Sequence, residues 1–142
     1  MNSNIAILED DSRRTCEMLA CLNERFPSKP VFVFDNAPDM IGWLSEHLQE
    51  LRLICLDHDL GPNRARSGET FDPGTGRDVA DYLAGQQPIC PVLIHTTNSL
   101  AAPGMVMTLE DAGWAHARVV PYDDFAWIQE SWIEMVSELL AK

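Results

Sequence analysis

Three apolar runs in this 142-residue chain end in side chains that can hold a cation or move a proton. Ile5-Ala6-Ile7-Leu8 is followed by Glu9-Asp10-Asp11, Leu53-Ile54-Cys55-Leu56 by Asp57-His58-Asp59, and Pro91-Val92-Leu93-Ile94 by His95-Thr96-Thr97-Asn98. Carboxylates gathered close together repel and raise one another's pKa unless a cation sits between them. A hard divalent ion, Mg2+ or Mn2+, takes oxygen from one or two carboxylates and leaves positions for water and phosphate oxygens. Glu9, Asp10 and Asp57 are the candidate ligands. Histidine titrates near neutrality, so His58 and His95 could serve as base and acid when water attacks a phosphodiester, in either order. Thr96 and Asn98 could donate hydrogen bonds to non-bridging oxygens. Asp11 and Ser12 read more simply as helix-capping residues, and a lone histidine can merely end a strand or pack beneath a helix. His47 and His116 read as surface residues.

Alternating elements position these groups. The run Ile5–Leu8 suits a fully buried parallel strand. Met18, Leu19, Leu22 and Phe26 then share one face of a helix that Pro27 ends. Val31–Phe34 is a second strand, and Pro38 opens a helix that carries Ile41, Leu44, Leu48 and Leu51. Leu53–Leu56 is the third strand. A polar stretch from Gly61 to Thr75 precedes a helix over 76–84 with Val79, Ala80 and Leu83 inward. Pro91–Ile94 is the fourth strand, a helix follows over 103–112 with Gly113 as its stop, and Ala117–Val120 is a weaker fifth strand broken by Pro121. The last helix carries Phe125, Ile128, Trp132, Met135, Val136 and Leu139 on one stripe. Strand–helix alternation with buried, non-alternating strands predicts an α/β fold, a doubly wound five-stranded parallel sheet covered by helices on both faces. The flavodoxin-like order 2-1-3-4-5 is the expected one, with ligands at the carboxyl ends of the strands.

The length predicts a single domain over 1–142. With 10 basic against 22 acidic residues the net charge is −12, which argues against a general nucleic-acid binder and against docking on anionic membranes. No apolar run approaches a membrane helix, and the N-terminus lacks the pattern of a secretory signal. Cys16, Cys21, Cys55 and Cys90 form no C-x-x-C pair and lie in apolar segments, so they read as buried thiols of a cytoplasmic protein. Trp114, Tyr122 and Trp127 are candidate exposed aromatics for a protein partner, although each could equally be core.

Leu8-Glu9-Asp10-Asp11, Leu56-Asp57-His58-Asp59-Leu60 and Val92-Leu93-Ile94-His95-Thr96 resemble the landmarks of response-regulator receiver domains, spread over essentially the whole chain. The resemblance implies that Glu9 and Asp10 hold Mg2+, that Asp57 is the phospho-accepting aspartate, and that the Asp59 backbone carbonyl is a third ligand. It implies that the Thr96 hydroxyl contacts the phosphoryl group. Receiver domains place a Lys before a Pro at the end of strand five, whereas this chain reads Arg118-Val119-Val120-Pro121. Arg118 is the nearest substitute. The Gly61–Thr75 segment is long for a compact domain. Its Arg64 and Arg66, with Arg77 just beyond, could clamp a phosphate, or the loop could simply be solvated.

Asp57-His58-Asp59-Leu60-Gly61, Thr75-Gly76-Arg77-Asp78-Val79 and His95-Thr96-Thr97-Asn98 are similar to a narrower group, the cyclic-phosphate-processing receivers. Histidines beside the metal rim suit phosphodiester chemistry better than phospho-acceptance, so the expected function is a metal-dependent phosphoesterase acting on a small phosphate-containing ligand. The alternative is a stand-alone or degenerate receiver that takes a phosphoryl group on Asp57 or binds a protein partner. Asp57-x-Asp59 also resembles the haloacid-dehalogenase-type phosphatases, but those carry the motif on their first strand.

Overall fold

The computed structural model describes residues 3–61, 63, 64 and 70–142. Its strands are β1 (Asn4–Leu8), β2 (Val31–Phe34), β3 (Leu51–Leu56), β4 (Asn63–Arg64), β5 (Thr70–Phe71), β6 (Val92–His95) and β7 (His116–Val119). The helices are α1 (Ser12–Arg25), α2 (Ala37–His47), α3 (Gly76–Ala84), α4 (Ala102–Asp111) and α5 (Ile133–Leu140). The main sheet is parallel with the order β2-β1-β3-β6-β7, the expected 2-1-3-4-5 arrangement once the small β4–β5 ribbon is set aside. That ribbon is antiparallel and lies within the polar stretch read as a loop.

Residues alternate across the sheet with a period of two, which sorts the core into two layers. Ala6, Leu8, Ile54, Leu56, Val92 and Ile94 face α2, α3 and α4, while Ile5, Ile7, Leu53, Cys55 and Leu93 face α1 and α5. The central strands are buried on both faces, as their unbroken apolar runs require. Leu8 pairs with Leu56, and Leu56 with Ile94, so β1, β3 and β6 finish level with one another.

Several boundaries differ from the sequence reading. The second helix stops at His47, a 3-10 turn spans Leu48–Glu50, and Leu51 already belongs to β3. Apolar residues at 44, 48 and 51 continue the helical spacing through the turn, so periodicity could not mark its end. The last helix opens with a π-helical turn over Ile128–Trp132.

Trp114 and Trp127, read as candidate exposed aromatics, are buried at 2% and 0% exposure, and Tyr122 stays exposed. Trp114 is held inside by donating its indole N–H to the Leu83 carbonyl at 2.9 Å. Only Cys55 and Cys90 are buried thiols. Met18 and Leu22 take the inner stripe of α1, leaving Cys16 exposed and Cys21 half-buried at its margin. Among the described residues no helix is long and apolar enough to cross a membrane.

Candidate metal and phosphate site

The level ends of β1, β3 and β6 set Glu9, Asp57 and His95 in one row at the carboxyl edge. Each lies two residues beyond a side chain of the α1–α5 layer (Ile7, Cys55, Leu93), so the two-residue period turns all three toward that layer. All three are buried, at 2%, 5% and 0% exposure. One ligand atom of each lies within 4.8 Å of the others. Asp10, named with Glu9 and Asp57 as a candidate ligand, is outside this side-chain group, and Asp59 enters the expectation only through its backbone carbonyl. Asp10 accepts a short hydrogen bond from the Gly61 N–H. The Asp59 carboxylate is exposed and faces His58 and Asn98.

Glu9 is the hub. Its Oε1 is 3.1 Å from His95 Nε2 and 3.7 Å from Arg14 Nη1, and its Oε2 accepts the Asp11 N–H at 3.0 Å. Burial pushes the Glu9 carboxyl up, but the His95 hydrogen bond, the nearby positive charge and the Asp11 N–H outweigh it and hold the group below its ordinary value. Burial, helped by the Glu9 charge, pushes Asp57 up to about 7 against the opposing pull of His95, the His58 N–H and Arg14. Burial and the same Glu9 charge also raise Asp10.

The His95 ring stacks on Trp127, centroid to centroid 5.8 Å, and its buried Nδ1 has no hydrogen-bond partner among the described residues. An ionised Glu9 can only accept, so the proton of that contact sits on Nε2 and has to leave when a cation takes the nitrogen. Two carboxylates and an imidazole, each offering one ligand atom within 4.8 Å of the others, fit a divalent ion. The oxygens suit a hard divalent ion such as Mg2+ or Mn2+.

A second cluster lies beside the row. His58 Nδ1 is 2.7 Å from Asp59 Oδ1, and the Asn98 amide donates to both Asp59 oxygens at 3.1 and 3.2 Å. The His58 hydrogen bond, together with Asn98, keeps Asp59 below the ordinary carboxylate value against a small opposing burial. Asn98 is itself anchored, its Oδ1 accepting the N–H groups of Leu100 and Ala101. A carboxylate on Nδ1 fixes the imidazole tautomer and leaves Nε2 as the working nitrogen. Thr96 Oγ1 accepts the Asn98 N–H at 3.1 Å, so its own O–H remains a donor.

Gly76, the first residue of α3, lets this edge close. Its N–H donates to the His58 carbonyl at 3.0 Å, and a Cβ there would lie 1.8 Å from the Asp57 carbonyl oxygen.

Of the expected phosphate clamp, only the Arg77 side chain lies among the described ones. Arg77 donates to Asp81 at 3.0 Å and packs over Gly104 of α4. Arg64 sits on β4 opposite Thr70, and Arg66 lies outside the described residues. Arg118 pairs with Ile94 in register, on the layer opposite the acidic row, and donates to the Thr96 carbonyl at 3.0 Å.

Besides His95, the charge that acts on both Glu9 and Asp57 is that of Arg14, which the sequence reading did not single out. Its signal was its place in the first turn of the helix after Glu9-Asp10-Asp11. A cleft of about 430 Å3 beside Glu9 and Asp10 is also lined by Asp35 and Asp39, the wrong sign for phosphate unless a cation is present.

The structure resembles response-regulator receivers throughout. The phosphorylated form of the cyanobacterial phytochrome response regulator RcpA superposes with a TM-score of 0.73 at 14% identity, covering 100% of this chain and 96% of that one. A response regulator receiver domain from Rhodospirillum rubrum gives 0.69 at 15% identity, with 93% and 89% covered. The Mn2+-bound form of response regulator Rcp1 gives 0.66 at 16%, with 96% and 90% covered. At such identities the likeness establishes the fold alone. No curated protein matches the sequence. The family described as the cyclic-phosphate processing receiver domain matches residues 5–111, a span from β1 through α4 that contains the acidic row and both histidines. The chain belongs to the cyclic-phosphate processing receiver domain family.

Proposed function

We propose that this chain is a metal-dependent phosphoesterase acting on a cyclic or terminal phosphate ester, built as one receiver-like domain over residues 1–142. The observation that carries the reading is the pairing of two clusters at one edge, the Glu9–Asp57–His95 row and the oriented His58–Asp59–Asn98 set. A receiver that only accepts a phosphoryl group has no use for the second cluster. A hydrolase needs a base for water and an acid for the leaving alkoxide.

Glu9, Asp57 and His95 would hold Mg2+ or Mn2+, which when bound supplies Lewis acidity and a template for phosphate oxygens. His95 is thereby assigned to metal holding, because a fully buried ring cannot exchange protons freely with a ligand. His58 keeps the proton-transfer role through Nε2, with Asp59 fixing its ring and Asn98 fixing Asp59. The Thr96 hydroxyl donates to a non-bridging oxygen. Incubation with cyclic phosphodiesters and Mn2+ tests this, beside a His58→Ala control. Turnover that falls in the control supports the reading, and no turnover across a broad panel refutes it.

The signalling reading has one observation in its favour, the likeness to response regulators that includes a phosphorylated one. On that reading Asp57 takes the phosphoryl group and a protein partner reads the result. A small phosphodonor followed by intact-mass measurement separates the two. A stable adduct lost in Asp57→Asn, with no diester turnover, selects the receiver.

A further inference from the structure

We propose that Arg14 is a phosphate-binding residue of this site, a cation carried on α1 and held over the acidic row by the Trp127 ring. The inference rests on the phosphate reading above and adds the group that meets the anion.

Three observations lead to it. First, the guanidinium is near Glu9 without being spent on it. At 3.7 Å, Arg14 Nη1 lies beyond a good hydrogen bond to Glu9 Oε1, and Glu9 is its only ion-pair partner among the described residues. The side chain keeps a quarter of its surface open (25%), so its N–H groups can reach a ligand. Second, the guanidinium is held in place. Its Cζ lies 5.3 Å from the centroid of Trp127, and that buried indole also stacks on the His95 ring. A cation over an indole face is attracted by the ring quadrupole, and the planar guanidinium stacks well there. Arg14, Trp127, His95 and Glu9 thus form a closed circuit of contacts, with Arg14 as its solvent-facing member.

Third, the other arginines nearby are engaged elsewhere or lie largely in solvent. Arg118 donates to the Thr96 carbonyl, and Arg77 pairs with Asp81. Arg13, with an equally loose contact to Asp11 at 3.9 Å, has a side chain 77% exposed and lies over Phe125 rather than Trp127. The backbone N–H groups of Arg13 and Arg14 at the start of α1 donate to the Asp11 carboxylate, so the helix end has those donors occupied.

Charge balance favours a cation at this place. One divalent cation is balanced by ionised Glu9 and Asp57, and an arriving phosphate adds at least one further negative charge. A guanidinium fork matches two phosphate oxygens at once. The role differs from that of the Lys at the end of strand five in receivers, because it comes from the first helix.

The test uses inorganic phosphate as the probe, titrated calorimetrically into the Mn2+-loaded protein. Wild type is compared with Arg14→Gln and Arg14→Lys, and Mn2+ affinity is measured separately for each. Loss of a charge-assisted pair should weaken phosphate binding about ten-fold or more in Arg14→Gln. Mn2+ affinity should hold or tighten, since a like charge has left the row. Arg14→Lys keeps the charge without the fork and should recover part of the phosphate affinity. Unchanged phosphate binding in Arg14→Gln overturns the assignment and leaves the metal site standing. Parallel loss of Mn2+ and phosphate affinity overturns it too, by showing a merely structural role. Should Arg14→Gln fail to fold, Arg14→Lys decides alone, and phosphate binding equal to wild type counts against the fork. Wild type that binds Mn2+ but no phosphate overturns the functional reading, and the Arg14 assignment with it.

Discussion

Replacing Asp57 by Asn should make the metal-free protein more stable, with a size that depends on pH. The carboxyl is 5% exposed and stands beside the Glu9 charge, and burial raises it from an ordinary 3.8 to about 7. An acid raised on folding keeps its proton in the folded chain where the unfolded chain has lost it. Stability therefore falls as pH rises from 3.8 toward 7, and the penalty is complete above that window. At roughly 1.4 kcal/mol per tenfold in proton affinity, the ionised form costs on the order of 4 kcal/mol. Asn removes the charge and keeps an oxygen to accept the His58 N–H, which Asp57 Oδ1 now accepts at 2.7 Å.

Urea unfolding in chelator should then show Asp57→Asn above wild type by up to about 4 kcal/mol at about pH 8, and by less than half of that at about pH 5. Saturating Mg2+ or Mn2+ should narrow the gap, because a bound cation stabilises wild type by mass action. A variant no more stable than wild type at the higher pH, or a gap that ignores pH, would refute the electrostatic reasoning.

Further outcomes follow from the same geometry. Gly76→Ala puts a Cβ against the Asp57 carbonyl, so the start of α3 or the Asp57–His58 backbone must move. Urea unfolding should show a loss of about 3 kcal/mol or more, and a change near zero would mean the edge relaxes freely. Asp59→Asn removes the carboxylate that orients His58 while leaving the metal row intact. Diester turnover should fall on the order of ten- to a hundred-fold with Mn2+ affinity preserved, and equal losses in both would contradict the separation of the two clusters. Asp11→Ala removes the cap that accepts the Arg13 and Arg14 N–H groups, and thermal or urea unfolding should register about 1 kcal/mol.

Much of this arrangement is legible in the residues. Apolar runs that stop at Glu9, Asp57 and His95 disclose both the strands and the edge that gathers chemistry. Strand faces were legible as well, but only on applying the two-residue period across strand ends. Ile7–Glu9, Cys55–Asp57 and Leu93–His95 keep one parity, which places His95 in the row and Asp10 outside it.

Other features depend on packing that spacing does not encode. Trp127 is more than thirty positions beyond His95 in the chain, and nothing local says that its ring turns inward to stack there. Arg14 looks like any polar residue in a first helical turn until Trp127 and Glu9 are seen around it. Arg118 was the natural substitute for the absent Lys. Its register with Ile94 sends it to the opposite layer, a consequence of sheet pairing.

The decisive measurement is electron spin-echo spectroscopy of Mn2+ bound to the full chain, with His95→Gln as comparison. If the row shares one cation, wild type binds a single Mn2+ whose spectrum carries nitrogen modulation, and that modulation disappears in His95→Gln. Bound Mn2+ without a nitrogen signal, or with a signal indifferent to the substitution, would contradict the account.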